Sequence, residues 1–504
     1  MRIRAALAGI TAAAAGIAAG ELLAALAVPA AGPVAGVGGV IVDATPTAVK
    51  EWAVGTFGTH DKPLLLTGIA VVLAAFAALV GVLGLRRQAF GLAGAAVLGL
   101  AGAAAAASRP AAGPLDGLPS LLGGVVAAAA LVLLLRPLDR SGGIDAGGSA
   151  RPMGRRRFLT TAGLVAAGAA VAGGGAALVR AAGRGAAERS RDAIRLPAPV
   201  SPAPPLPAGS GAGFVTANRD FYRVDTALTV PRVDVAGWRL RVRGMVGRPL
   251  EVTFDDLLRR PLIERDVTLN CVSNEVGGPY VGTARWLGVP LADLLREARP
   301  APGADQVVAR SVDGMTIGTP LAVVLDGRDA MLCVGMNGEP LPLEHGFPVR
   351  MLTPGLYGYA GACKWLTSIE LTTFEAYDAY WVARGWAARG PVKTASRIDR
   401  PLPFTRLDPA AGPVRVAGVA WAQGRGIAAV EVQVDDGPWQ AATLLPAPTD
   451  DTWVQWRLDW AATPGSHLLR VRATDKTGAL QTPDRATPFP SGATGWHTVT
   501  VTVQ

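Results

Sequence analysis

The sequence predicts a multi-domain chain in which an N-terminal α-helical transmembrane region precedes a mixed α+β domain and a C-terminal β-sandwich. Three observations carry that expectation. Half of the 504 residues are hydrophobic, and up to about residue 182 the chain is mostly Ala, Leu, Val and Gly, after which charges, Pro and Trp recur. Beyond that shift, β-like runs such as "WRLRVRGMV", "DVTLNCV" and "QVVARSV" alternate with short helix candidates such as "TFDDLLRR" and "PLADLLREA" as far as about Arg400. From Pro413 onward, runs such as "VRVAGVAWA", "AAVEVQVDD" and "HTVTVTVQ" alternate apolar and polar residues between turn signals, with little helical pattern.

Taken in order, five apolar runs approach the roughly 20 residues that cross a bilayer. They are about Ala5 to Val28, Pro63 to Leu85, Phe90 to Ala107, Leu118 to Leu135 and Leu159 to Val179. Their ends carry Arg2 and Arg4, Arg86 and Arg87, then Arg136, Arg140, Arg151 and the triplet Arg155, Arg156 and Arg157, all on one side if the crossings alternate. The amino terminus is therefore expected in the cytoplasm, and an odd number of spans places the chain beyond residue 182 on the periplasmic or extracellular side of a bacterial membrane. The stretch "AGPVAGVGGVIV" is shorter and glycine-rich, and is either a re-entrant or surface segment or a further element that would change the count of crossings. Gly91, Gly94 and Gly99 suit close helix packing, and "VAGGGAALV" lies within the last span, so neither reads as a phosphate loop.

The last span opens on "GRRRFLTTAGLVAAGAAVAG", which resembles a twin-arginine export signal, against the plainer reading of three arginines anchoring a helix. That route moves folded proteins, so the resemblance implies an outer domain loaded with its cofactor inside the cell. No A-x-A site follows the span, and the segment is expected to remain as an anchor. Next, "RLPAPVSPAPPLPAGSGAG" has the composition of an extended, semi-rigid linker. The expected organisation is a transmembrane region over 1–182, a linker over 183–213, the α+β domain over 214–400 and the sandwich over 401–504.

A net charge of +9 and a pI of 9.9 are set largely by arginines at span ends and are read as membrane topology, with no nucleic-acid partner expected. The three cysteines, Cys271, Cys333 and Cys363, are too few and too irregularly spaced for a zinc module or a dense disulfide framework. No G-x-S-x-G, H-E-x-x-H or C-x-x-C pattern occurs, so hydrolase, zinc-protease and thioredoxin chemistry lack support.

Four pieces in a fixed order carry a family resemblance: "ANRDFYRVD", "TLNCVSNEVGGPYVGTARWLGVPLADLL", "MNGEPLPLEHGFPVRMLTPGLYGYAGACKWLTSIEL" and the terminal β domain. From about Phe214 to Gln504 the chain resembles the sulfite oxidase family of molybdopterin enzymes. The resemblance implies a sulfite-oxidase-type molybdopterin domain followed by an immunoglobulin-like sandwich of the dimerisation type. It also implies molybdenum with molybdopterin as cofactor and Cys271 as the metal ligand. A soft anionic sulfur suits a metal that changes oxidation state, whereas an isolated cysteine is more often a small buried hydrophobe. In the matching positions His345, Arg350 and Lys364 are implied as cofactor-binding residues, and Asn218, Tyr222 and Arg223 fall at the family's cofactor and substrate edge. Cys333 and Cys363 have no motif role and are expected in the core; whether they pair is left open by their spacing.

Two departures bear on substrate. Sulfite oxidases proper carry arginine shortly after the metal cysteine, where this chain has Asn274, Glu275 and Val276, and Asp225 takes a place that is often histidine. Arg223 could still face an anionic substrate, and Tyr380 or Tyr377 could supply a hydroxyl. The implied chemistry is oxygen-atom transfer: oxidation of a small oxyanion such as sulfite or, alternatively, reduction of a sulfoxide or other S- or N-oxide. A metal-free, membrane-tethered scaffold is a further alternative. The four histidines are His60, His345, His467 and His497, none in a span, so no haem is expected and electrons should pass to a separate redox partner.

Overall fold

The computed structural model describes residues 1–504 apart from 47–48, 50–55, 58–60, 110–111, 140–152 and 409–411. Arg140, Arg151 and His60 lie outside the described residues. The chain divides into two compact units, Met1–Ala186 with Ala227–Val230, and Ala187–Thr226 with Pro231–Gln504.

The first unit is helical: α1 (Arg2–Ala27), α2 (Pro33–Ala44), α3 (Asp61–Arg86), α4 (Gln88–Ala107), α5 (Leu118–Asp139) and the start of α6 (Met153–Asp192). Five helices, all but α2, are long and apolar enough to cross a membrane. Small residues let them approach closely: a Cβ on Gly9 would collide with the Ala77 carbonyl, and the Cα atoms of Gly99 and Gly124 face one another. Gly91 and Gly94 meet Gly84 and Val80 in the same way.

These contacts also fix direction. Gly9 meets Ala77 while Ala5 meets Gly81, so α1 and α3 run antiparallel; Gly16 with Ala127 and Gly20 with Pro119 do the same for α1 and α5. Gly91 with Leu131 and Gly102 with Ser120 make α4 and α5 antiparallel. By contrast α6 runs alongside α1, with Gly173 near Ala18, Gly175 near Leu22 and Arg180 paired with Glu21. The five long helices therefore alternate, and Arg2, Arg4, Arg86, Arg87, Arg136, Arg156 and Arg157 share one end of the bundle.

The second unit is built from sheets. Its strands are β1 (Arg239–Gly244), β2 (Leu250–Thr253), β3 (Ile263–Asn270), β4 (Val281–Pro290), β5 (Gln306–Ser311), β6 (Thr316–Pro320), β7 (Met331–Met336), β8 (Glu339–Pro340), β9 (Arg350–Leu352) and β10 (Leu366–Thr372). One sheet has the order β2-β1-β10-β5-β6, with β1 and β10 parallel; the other has β3-β4-β7-β8, with β9 added to β7. Alternating apolar positions such as Leu240, Val242, Val307, Ala309, Ile369 and Leu371 meet the helix Leu291–Ala298 in one core. This is the expected mixed domain.

Downstream follow β11 (Ala395–Arg400), β12 (Arg406–Leu407), β13 (Val414–Trp421), β14 (Ile427–Val434), β15 (Trp439–Ala441), β16 (Thr443–Leu444), β17 (Val454–Trp460), β18 (Gly465–Asp475) and β19 (His497–Val503). They form two sheets, β11-β13-β17-β16 and β12-β19-β18-β14-β15. Inward residues of both, among them Val416, Trp456, Val430, Leu469 and Val501, share a second core.

One expectation changes. The 183–213 segment is not a free spacer: α6 continues to Asp192, through Ala, Arg and Glu residues that favour helix. The proline-rich stretch then lies along the second unit, where Val200 N–H donates to Leu262 O, Glu264 N–H to Ser201 O and Arg285 to Pro204 O. Proline removes its own donors but leaves carbonyls for neighbouring arginines and strand edges.

Candidate active site

The site begins where β3 ends. Asn270 closes the strand, Cys271 follows, and residues 271–280 turn the chain into β4. Cys271 N–H donates to Tyr280 O at 2.9 Å, Asn274 N–H to Cys271 O at 3.1 Å, and Tyr280 N–H to the Asn274 carboxamide at 2.8 Å. Asn274 is buried, so its side chain is used as the internal tie of the turn. The Cys271 thiol is partly exposed and lies 2.9 Å from Ser273 Oγ. Burial pushes it up, while the Ser273 hydroxyl and the Lys364 charge oppose that rise.

The segment 217–225 crosses the same sheet. Phe221 packs edge-on against Trp286 and His345, at 5.8 and 5.6 Å between ring centroids, and stacks on Tyr222 at 5.2 Å. This anchors Tyr222 between Cys271 and Arg350; burial, and then the Cys271 charge, push its hydroxyl up, with Arg350 opposing. His345 Nε2 meets the Asn218 backbone carbonyl at 2.9 Å. Burial, followed by the charges of Arg350 and Lys364, lowers its pKa to about 4, so the ring is neutral and donates through Nε2. The Asn218 side chain is occupied by Asn337, at 2.8 Å, and by Glu339. It therefore shapes the site through its backbone.

Arg350 on β9 is buried, its guanidinium 5.2 Å from the Trp286 ring and its Nη1 3.4 Å from the His345 carbonyl. Among the described residues its Nε has no hydrogen-bond partner. Burial pushes it down, and what favours its charge is Tyr222 with the thiols of Cys333 and Cys363, not a carboxylate. Lys364 is differently placed: its Nζ lies 2.9 Å from Asp225 Oδ2, which also accepts from Arg223 Nε at 2.9 Å. Burial lowers Lys364 to about 8, against the Asp225 carboxylate.

Cys271, Tyr222, Arg223, His345, Arg350 and Lys364, drawn from three separated stretches of sequence, are thus brought together. Tyr380 is placed beside Arg384, 3.6 Å from its ring, with its N–H on Thr316, and Tyr377 donates to the same hydroxyl. Sequence reasoning missed Ser273 and Tyr357. Burial raises Tyr357 to about 12, with a further contribution from Cys271. Its signal lay in "GLYGYAG", between the stretches holding Arg350 and Lys364, but a tyrosine among glycines has no pattern that distinguishes wall from core. Cys333 and Cys363 are free and buried. They flank β9, Cys333 opposite Arg350 and Cys363 O accepting from Met351 N–H.

The family model described as the oxidoreductase molybdopterin binding domain matches residues 227–381. Mitochondrial sulfite oxidase of Mus musculus is 32% identical over 303 residues, covering 50% of this chain and 54% of that protein. Sulfite oxidase of Gallus gallus is 30% identical over 337 residues, covering 56% of this chain and 72% of that protein. The sulfane dehydrogenase SoxCD structure from Paracoccus pantotrophus aligns with a TM-score of 0.48 and 25% identity over 57% of this chain and 82% of that one. The chain spans about half the length of the mouse protein. The residues present fit a bound pterin phosphate: a buried guanidinium with an unused Nε and no carboxylate is a costly arrangement that an anion resolves.

Proposed function

The chain belongs to the sulfite oxidase family of molybdopterin oxidoreductases, and from that premise we propose that it is a membrane-anchored enzyme carrying out oxygen-atom transfer at a molybdenum held by Cys271. The observation that carries this reading is the unpaired Arg350 guanidinium beside Tyr222, itself next to the Cys271 thiol. When bound, the cofactor supplies two-electron oxygen-atom transfer. The protein's share is positional. Arg350 and Lys364 would hold the anionic end, neutral His345 holds the Asn218 carbonyl in place through Nε2, and the Tyr222 hydroxyl stays protonated near the Cys271 thiol. Arg223, one-third exposed and tied to Asp225, faces the substrate side. Electrons leave to, or arrive from, a separate redox partner.

The common arginine-bearing end of the bundle supports a cytoplasmic amino terminus and an outer-face catalytic unit. The two C-terminal sheets support an immunoglobulin-like sandwich through which two copies would associate.

Sulfite oxidation is the first reading. Reduction of a sulfoxide or other S- or N-oxide is the second, favoured by Asn274, which leaves the turn after Cys271 without a cation, and by Asp225, which partners both Arg223 and Lys364. The test is purification of the full chain after expression with cofactor supply, metal analysis, and anaerobic turnover of sulfite with an electron acceptor against methionine sulfoxide with reduced viologen. About one molybdenum per chain with turnover of either substrate is expected. A chain without molybdenum would favour the scaffold reading instead.

A further inference from the structure

The C-terminal region touches the chain on both sides of Cys271. Upstream, Thr268 lies three residues before Cys271 and is buried. Its N–H donates to Asp451 O at 2.9 Å, its carbonyl accepts from Gln423 Nε2 at 3.0 Å, and its hydroxyl accepts from Trp453 N–H at 2.7 Å. Every polar group of this residue is therefore engaged by the 423–453 region. Downstream, Arg397 Nη1 donates to Gly278 O at 2.8 Å, while its Nε is fixed on Asp399 at 2.6 Å. His497 Nδ1 accepts from Ile398 N–H at 3.0 Å, which leaves its Nε2 edge against Gly277. Gly277 has φ +79°, and a Cβ there would collide with the His497 ring.

We infer that Gln423, Arg397 and His497 are positioning residues for Cys271, so that the C-terminal sandwich is a working part of the catalytic site as well as a module for association. The inference rests on the reading of Cys271 as the metal ligand only for its catalytic consequence. The mechanical claim concerns the thiol alone: a turn held at residue 268 and again at residues 277–278 keeps the sulfur at one place and in one orientation. A metal ligand needs that pre-organisation, because loss of outer supports typically costs 10- to 100-fold in affinity or activity.

The test uses the full chain in two forms. In protein expressed without cofactor supply, alkylation of Cys271 is followed by mass spectrometry with iodoacetamide, and the fully buried Cys333 and Cys363 serve as internal controls of folding. Arg397→Ala and Gln423→Ala should each raise the Cys271 rate about tenfold, the scale set by losing one buried hydrogen bond, with Cys333 and Cys363 still unlabelled. Arg397→Lys should recover most of the protection. Gly277→Ala should also expose Cys271, since both the positive φ and the His497 ring oppose a Cβ there. In cofactor-loaded protein the same alanine variants should lower kcat about tenfold with KM within twofold. Rates within twofold of the parent, or parallel labelling of all three cysteines, would overturn the inference. Since alkylation needs no metal, protection that behaves as expected in a chain that never binds molybdenum would refute the proposed function and leave the clamp standing.

Discussion

Replacing Arg350 with methionine should make the cofactor-free protein more stable and unable to keep its cofactor. Arg350 is 6% exposed and, among the described residues, has one long hydrogen bond of 3.4 Å and an Nε with no partner. Desolvating an unpaired ion costs several kcal/mol, and apolar replacements of buried ions stabilise by about 1–4 kcal/mol. Opposing this, the cation lies 5.2 Å from the Trp286 ring, an interaction worth about 2 kcal/mol when desolvated. Methionine retains the contact with the ring as a thioether. The expected balance is a gain of about 1–2 kcal/mol, or a rise of about 1.5–3 °C in the melting temperature of a unit of this size. In the loaded protein the sign reverses, because one charge-assisted bond to an anion is worth about 1.5–3 kcal/mol, a loss of roughly 10- to 100-fold in retention. Thermal unfolding of cofactor-free full chain, and molybdenum per chain after gel filtration, measure the two sides. A variant that melts lower than the parent yet keeps full molybdenum would refute the argument that Arg350 is held unpaired for an anion.

The same geometry sets three other outcomes. Cys271→Ser should reduce turnover by at least about a thousandfold with little change in unfolding temperature, since the thiol packs at the edge of the core; near-normal steady-state rates would exclude it as ligand. His345 is held down at about 4 by burial, so the unfolded chain takes up a proton first as pH falls. Stability is therefore complete above about 6.5 and lost between 6.5 and 4, by about 3 kcal/mol, and His345→Gln should flatten that part of a urea-midpoint-against-pH curve. Lys364 is lowered to about 8 by burial, with Asp225 opposing. Cofactor uptake by the cofactor-free chain should therefore weaken as pH rises through about 8, and Asp225→Asn should move that midpoint lower, as read by a reconstitution titration across pH 6–10.

What could be read in the sequence was whatever lay within one stretch of chain. Apolar length located the five long helices to within a few residues at most ends, and period-2 alternation located strands such as β13, β14 and β19. The stretches "ANRDFYRVD", "TLNCVSN" and "HGFPVRMLTPGLYGYAGACKWL" supplied the residues that gather around Arg350. What escaped depends on partners far away in sequence. The proline-rich segment looked like a linker because its hydrogen bonds go to Leu262, Glu264 and Arg285, none of which composition can reveal. Asn274 registered as a missing arginine, yet its carboxamide ties Tyr280 N–H, a geometric duty that only the folded turn displays. Asn218 was legible as important, but its part is played by a backbone carbonyl against His345, and sequence does not distinguish side-chain from main-chain roles.

The charge arrangement around Cys271 links these findings to the choice of substrate. Asp225 partners Arg223 and Lys364 together, so two of the three cations matched to the site share one carboxylate, while Arg350 has none. His345 is neutral and adds nothing. Arg223, Lys364, Arg350 and Asp225 together carry a net charge of about +2, which a dianionic phosphate offsets almost completely. Little positive field then remains at the mouth of the site from these groups for a small dianion, and the turn that would otherwise project an arginine after Cys271 instead consumes Asn274 internally. Restoring a cation at that position is not a simple exchange: Asn274→Arg would remove the acceptor for Tyr280 N–H, at a cost of about 1–3 kcal/mol, and loosen the turn that carries the thiol. A cation introduced at Ser273 would leave that tie intact, and so is the cleaner way to ask whether charge alone separates the two substrate classes.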